Sequence, residues 1–240
     1  MHLVLFFTKN VSLRTWDKVG IISREITIYQ EMLKKGNKVS FITYGNKSDL
    51  EYKSQLGGIN IYCNHIGLKP FIYEKCINFI HRSIISSADI IKTNQMFGAD
   101  VALKASKRFK TPLINRMGYI YSEFKSNEIS KKSKTYLECV MLERDVIKFA
   151  DQVVVTTSLM LDKISEQYPD AMDKISIIPN FVDTSIFRPN PSVAKRFDII
   201  FIGRFEPQKN LFSLLDALST TKLNVLMVGS GTHEQELKKK

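Results

Sequence analysis

Phe197–Leu218 reads FDIIFIGRFEPQKNLFSLLDAL, a strand, a tight polar loop and a helix in succession. Asp198-Ile199-Ile200-Phe201-Ile202 is a short, nearly continuous apolar run, the pattern of a strand buried on both faces of a parallel sheet. Gly203 ends it, and Arg204 and Lys209 flank a loop holding Glu206, Pro207 and Gln208. Leu211, Leu214, Leu215 and Leu218 then follow at helical spacing. A strand, a glycine turn and a helix start bring backbone N–H groups and two cations to one point, which favours a phosphate. The pattern is neither G-x-x-x-x-G-K-[ST] nor G-x-G-x-x-G. Taken alone it also describes an ordinary βα turn with two solvated cations.

The flanking segments add to it. Ile177–Pro189, IIPNFVDTSIFRP, precedes the turn, and Val225–Gly231, VLMVGSG, follows it. The order and spacing of these three motifs resemble the retaining, nucleotide-sugar-dependent glycosyltransferases of family 4. The resemblance is specific over Ile177–Gly231 and loose over the rest of the chain.

The net charge is +11 and 44% of the residues are hydrophobic. Such a charge could attract anionic lipid, nucleic acid or phosphorylated ligands, but it is scattered through a chain rich in Lys, Asn and Ile. No RRM, zinc-finger or arginine-rich signature is present, so no nucleic-acid partner is expected. Cys63, Cys76 and Cys139 form no C-x-x-C, which fits reduced thiols in a cytosolic protein. His2, His65, His81 and His233 are isolated, and there is no D-x-D, so no metal is expected. The opening MHLVLFFTKN is too short an apolar run, with no basic region before it, for a signal peptide; it reads as a first strand. No segment is long and apolar enough to span a membrane.

Along the chain, strands are expected at Leu3–Phe7, Val39–Tyr44, Gly57–Tyr62, Asp89–Thr93, Pro112–Asn115, Gln152–Thr156 and Lys174–Ile178. Helices are expected at Ile22–Leu33, Pro70–Ser86, Gly98–Phe109, Lys131–Phe149 and Ser158–Gln167. Thr8–Gly20 reads as a long polar loop holding the only tryptophan, Trp16. Alternating strands and helices argue for a doubly wound α/β domain with right-handed crossovers. Asp183–Arg196, with Pro189 and Pro191, reads as a linker. The expected division is residues 1–190, an N-terminal, acceptor-side Rossmann-like domain, and 191–240, the first βαβ of a second, nucleotide-sugar-binding one. A βαβ unit alone covers too little of its sheet, so the chain is expected to be C-terminally truncated relative to the family.

The resemblance implies a GT-B-like fold in which the C-terminal domain holds most of the donor. Arg204 and Lys209 match the family's pyrophosphate-contacting pair, and Gly203 would let the backbone approach. Fixed cations there stabilise the negative charge that develops on the leaving phosphate, with no cofactor beyond the nucleotide-diphosphate sugar, which is the donor substrate. Retention would have the acceptor hydroxyl attack from the leaving-group side. On the N-terminal side, the loop after the first strand should face the ligand, making Asn10, Trp16 and Asp17 acceptor-side candidates. Gly20, where relatives carry Gly-Gly, could present a helix N-terminus to phosphate. Trp16 either packs on its own loop or stacks on a sugar. Arg116 stands where relatives carry a histidine; it contacts donor or acceptor charge, or forms a structural salt bridge. The family's later acidic motif would lie beyond Lys240.

The implied acceptor is a saccharide or a lipid-linked sugar, and the implied setting is cytoplasmic synthesis of surface polysaccharide or glycolipid. A competing reading is an accessory, acceptor- or membrane-docking module that needs a partner chain. Lys131, Lys132 and Lys134, with the Pro70–Ser86 helix, would then meet an anionic membrane at its inner face.

Overall fold

The computed structural model describes residues 1–239. The chain divides into two compact units, Met1–Val182 and Asp183–Lys240, so the division falls at the start of the Pro-containing stretch read as a linker.

The first unit runs β1 (His2–Phe6), α1 (Leu13–Lys18), α2 (Ile22–Lys34), β2 (Lys38–Ile42), β3 (Asn60–Tyr62), α3 (Pro70–Ile80), α4 (Arg82–Ser86), β4 (Ile90–Thr93), α5 (Ala99–Phe109), β5 (Leu113–Met117), α6 (Tyr121–Ser126), α7 (Lys134–Phe149), β6 (Gln152–Val155), α8 (Ser158–Gln167) and β7 (Ile175–Ile177). All seven strands are parallel, in the order β3-β2-β1-β4-β5-β6-β7. This is the doubly wound α/β architecture expected from the alternation of elements. The strand order reverses direction between β1 and β4, so the carboxyl ends of those strands mark the switch point.

Each face of the sheet carries its own core, because side chains alternate along a strand. Leu3, Leu5, Phe7, Val39 and Phe41 pack with Leu13 and Trp16 of α1 and Ile22, Ile26 and Tyr29 of α2. Val4, Phe6, Ile91, Leu113, Val153 and Val155 pack on the other side with residues of α3, α5, α7 and α8. The α1–α2 core contains no residue of β5, β6 or β7. On that side Ile114 of β5 and Val154 of β6 are half-buried and Ser176 of β7 is exposed.

Two expectations are corrected here. Thr8–Gly20 is not a loop throughout, since α1 lies inside it. Ser12 caps α1 by accepting from Thr15 N–H at 3.0 Å. Asp49, fully buried and 36 residues away in sequence, accepts from Leu13 N–H at 3.2 Å. It also accepts from Arg14 N–H at 3.3 Å and from the Thr43 hydroxyl at 2.6 Å. A carboxylate at a helix start is favoured by the backbone N–H groups it faces, and that contact is invisible to local pattern.

Pro70–Ser86 is likewise not one helix: it breaks at His81, which ends α3 and starts α4. The His81 ring is buried. The Tyr73 hydroxyl donates to the Thr43 carbonyl at 3.0 Å, which leaves its oxygen to accept from His81 Nε2 at 2.9 Å. Burial, with His65 nearby, pulls the His81 pKa down to about 4, so the ring is neutral in the folded protein at pH 7.

The second unit runs β8 (Ile199–Ile202), α9 (Leu211–Leu218), β9 (Val225–Val228) and α10 (Glu234–Leu237), with β8 and β9 parallel. Ile200, Ile202 and Val228 are exposed on this two-stranded sheet. Among the described residues no helix is long and apolar enough to cross a membrane.

Replacing Asp49 with alanine removes a cap and a hydroxyl partner and leaves three donors, two of them buried, without an acceptor. The expected cost is about 3 kcal/mol, read as a lower urea midpoint at unchanged slope. A variant within about 0.5 kcal/mol of the parent, the range of ordinary surface changes, would show that α1 does not depend on this carboxylate.

Candidate functional site

The turn after β8 is built by close backbone approach. Gly203 N–H donates to the Val228 carbonyl at 3.0 Å, and Phe205 N–H to the Ser230 carbonyl at 2.8 Å. A Cβ at Gly229 would overlap the Gly203 carbonyl oxygen, and one at Gly231 would meet the Phe205 backbone. The Gly229-Ser230-Gly231 segment therefore packs backbone against backbone on Gly203-Arg204-Phe205, which only residues without a side chain permit. Glu206 is spent inside the turn, accepting from the Thr232 hydroxyl at 3.0 Å. Pro207–Lys209 form one tight 3-10 turn, and Asn210, in the left-handed conformation at φ 48°, leads into α9.

This scaffold leaves Arg204 and Lys209 exposed. Among the described residues neither side chain has an ion-pair partner. Gly203 uses its N–H on Val228, and the space a Cβ would fill is bounded by the Phe201 ring at 3.1 Å. It shapes the turn and has no N–H left for a ligand.

In the first unit the candidates separate. Trp16 is 2% exposed and stacks on Phe7 with ring centroids 4.1 Å apart, edge-on to Phe41 at 6.1 Å. It is part of the core and is withdrawn as an acceptor-side residue, because an indole buried on both faces has none to offer a sugar. Gly20 N–H donates to the Asp17 carbonyl at 2.8 Å, and Ile21 N–H to the Trp16 carbonyl at 2.9 Å. With φ 71°, Gly20 is thus the left-handed residue that terminates α1. α2 begins two residues later, after Ile21, with no side-chain cap. Asp17 is exposed and accepts from the Tyr52 hydroxyl at 2.8 Å. Asn10 is exposed, at φ 62°, in the turn closed by Val11 N–H on the Thr8 carbonyl.

Arg116 lies near the carboxyl end of β5, half-buried. Its Nη1 donates to the Asn94 carbonyl at 3.2 Å and its Nη2 to Asn180 Oδ1 at 2.7 Å. Among the described residues it has no carboxylate partner, so the structural salt bridge is not what holds it. Asn180 belongs to the IIPN segment, which also bonds β6 through Ile178 N–H on the Val155 carbonyl at 2.8 Å.

Lys92, on β4, was not singled out in the sequence. Lys92 pairs in register with Ile114, and Arg116 is two residues on, so both cations point to the same face of the sheet. Lys92 Nζ donates to the Tyr29 hydroxyl at 3.0 Å. Burial first, and Arg116 second, pull the Lys92 pKa down to about 7. The signal available in the sequence was a lysine interrupting an apolar strand, Ile90-Ile91-Lys92-Thr93.

A cavity of about 370 Å³ lined by Ser122, Glu123, Lys131, Tyr136 and Lys163 holds none of these candidates. Among the described residues no cluster of three His, Cys, Asp or Glu side chains could hold a metal.

Lys92 carries a stability prediction. Its folded pKa, about 7, lies below its ordinary 10.5. Between these values the unfolded chain binds more protons, so this lysine's destabilisation is full below pH 7 and is relieved as pH rises toward 10. Lys92→Met should raise Tm at pH 7 by about 2–4 °C, the equivalent of 1 kcal/mol in a domain of this size. The gain should shrink as pH rises toward 10. A variant less stable than the parent at pH 7 contradicts the assignment.

No protein-family model matches the chain. The D-inositol 3-phosphate glycosyltransferase of Acidothermus cellulolyticus is 28% identical over 131 residues, 50% of this chain and 29% of that protein. Its namesake from Thermobispora bispora is 24% identical over 131 residues, 50% of this chain and 30% of that protein. Among solved structures, Anabaena HepE in complex with UDP aligns with a TM-score of 0.66 at 17% identity, covering 100% of this chain and 64% of that one. The lipopolysaccharide outer core galactosyltransferase WaaB, in its apo form, gives 0.59 at 18%, covering 100% and 64%. Sucrose-phosphate synthase from Thermosynechococcus elongatus gives 0.61 at 13%, covering 95% and 62%. The chain spans about 30% of the length of these curated relatives and under two thirds of these solved neighbours. At such identities the likeness is one of fold, and the fold is that of the GT-B glycosyltransferases.

Proposed function

We propose that this chain acts in a glycosyl transfer that takes the sugar from a UDP-linked or related nucleotide donor and passes it, with retention, to a saccharide or lipid-linked acceptor. The observation that carries the reading is the β8–α9 turn. Its backbone is locked against Gly229-Ser230-Gly231, while Arg204 and Lys209, in the turn beyond the carboxyl end of a parallel strand, are exposed and have no ion-pair partner among the described residues. The UDP named with HepE and the glycosyltransferase activity named for the inositol phosphate relatives agree with this reading.

The chemistry follows from charge. Breaking the bond between sugar and phosphate leaves negative charge on the departing nucleotide. Two fixed cations interact with that charge more strongly than with the ground state, which lowers the barrier. Arg204 offers a planar fork to two oxygens and Lys209 a point charge. With the phosphate held this way, its own oxygen can take the acceptor proton as the acceptor attacks from the same side. Roles in surface polysaccharide or glycolipid synthesis are consistent with the neighbour that acts on the lipopolysaccharide outer core.

A second reading has one observation behind it. Ile202 is 77% exposed on a two-stranded parallel sheet, an arrangement marginal in isolation. On this reading the second unit acts with a further polypeptide segment that covers that face.

Calorimetric titration of the 240-residue chain with UDP tests the proposal. Binding is expected, weakened about tenfold or more in Lys209→Ala, the loss of one charge-assisted contact. Equal binding by the variant, or none by the parent, overturns the assignment of the turn.

A further inference from the structure

We propose that Lys92 and Arg116 form a second anion subsite, on the first unit, that takes a phosphate or carboxylate group of a substrate. The proposal extends the transferase reading but stands on different residues from the β8–α9 turn.

Placement comes first. Lys92 and Arg116 share one face of adjacent parallel strands, two register positions apart, so their Cα atoms lie about 8 Å from each other. Both stand toward the carboxyl ends of β4 and β5, the edge where open parallel sheets bind ligands. The α1–α2 core stops short of β5. Half-buried Ile114 and Val154 flank Arg116 on this face, outside the α1–α2 core.

Charge comes second. Two half-buried cations that feel each other are costly unless an anion accompanies them. Among the described residues neither has a carboxylate within ion-pair distance. The charged group facing them from α2 is Glu25, which Arg24 holds at 2.6 Å. The other groups around them are neutral: Tyr29, Asn94 and Asn180.

Donor capacity comes third. Lys92 has three N–H groups, with one on the Tyr29 hydroxyl at 3.0 Å and a long contact to the Thr93 carbonyl at 3.4 Å. Arg116 has five, of which one goes to Asn94 and one to Asn180. The bonds that are made fix both side chains and leave donors to spare, which is how a preorganised anion site is built. An arriving anion also restores the proton that Lys92 gives up near pH 7, so binding at pH 8 takes up a proton.

The anion could be borne by the acceptor or by the donor, and the test separates them. The 240-residue chain is titrated with glucose 6-phosphate and, separately, with UDP, each at pH 8 in two buffers of different ionisation enthalpy. The proteins are the parent, Lys92→Met, Arg116→Gln and the double variant Arg204→Ala/Lys209→Ala. Glucose 6-phosphate affinity falling about tenfold or more in Lys92→Met and Arg116→Gln, with proton uptake lost in Lys92→Met, supports an acceptor-borne anion. The same loss for UDP alone supports a donor-borne one. Neither ligand weakened by either substitution overturns the subsite, provided both variants melt no lower than the parent by more than a few degrees. If Arg116→Gln proves unstable, Lys92→Met decides alone, since its fold is expected to be the more stable one. The Arg204→Ala/Lys209→Ala protein keeps Lys92 and Arg116. Glucose 6-phosphate binding retained there, with UDP binding lost, separates the two sites. Loss of glucose 6-phosphate binding there overturns the subsite.

Discussion

Strand β1 is the constraint on which the rest of the first unit depends. It pairs in parallel with β2 on one edge and β4 on the other, and all five of its residues are buried. Its alternating side chains divide the interior in two: Leu3, Leu5 and the following Phe7 belong to one core, Val4 and Phe6 to the other. At about 2 kcal/mol for each large apolar side chain fully buried, this one strand contributes on the order of 10 kcal/mol of burial. That is comparable to the whole net stability of a typical domain. Reversal of strand order at β1 also places the functional edge, because crossovers leaving to either side open a crevice at the carboxyl ends.

Sequence pattern was a good guide wherever structure is decided locally. The inner strands of the first sheet could be read because a strand covered on both faces must be apolar almost throughout; β8, read the same way, is not covered on both faces, since Ile200 and Ile202 are exposed. The long helices could be read because their apolar positions recur at helical spacing. The failures share one cause, a partner distant in sequence. α1 is a short helix whose first N–H groups are satisfied by Asp49, and whose two large apolar side chains, Leu13 and Trp16, are buried only after β1 and β2 pair, with Trp16 against Phe7 and Phe41. Isolated, such a helix would not form, and its residues looked like a polar loop. The break at His81 is similar: a ring held by Tyr73 and buried against the sheet outweighs one more turn of regular helix.

The candidate sites show the same division. Gly229 and Gly231 could be read as a turn, yet their main effect is to let two backbones meet, which depends on β8 and β9 being neighbours. Arg116 could be picked out because it stands near a strand end where the resemblance places a histidine. Its tie to Asn180 joins residues 64 positions apart and gives the IIPN segment a task no local pattern reveals. Lys92 was passed over because a lysine in a strand is usually a solvated edge. What makes it notable, the tyrosine under it and the arginine beside it, exists only after folding.

The two pairs of cations differ in what their placement implies. Arg204 and Lys209 are exposed, and an exposed charge costs a folded protein almost nothing, so their freedom from partners is weak evidence by itself. Their weight comes from the rigid turn that presents them. Lys92 and Arg116 are half-buried and close enough to repel, an arrangement that lowers stability and that a methionine at position 92 would relieve. The bonds both make, to Tyr29, Asn94 and Asn180, are all to neutral groups and leave the two charges without a counter-charge that an anion would supply. On that ground the first unit, which resembles its relatives less specifically in sequence, carries the stronger physical argument for a binding site.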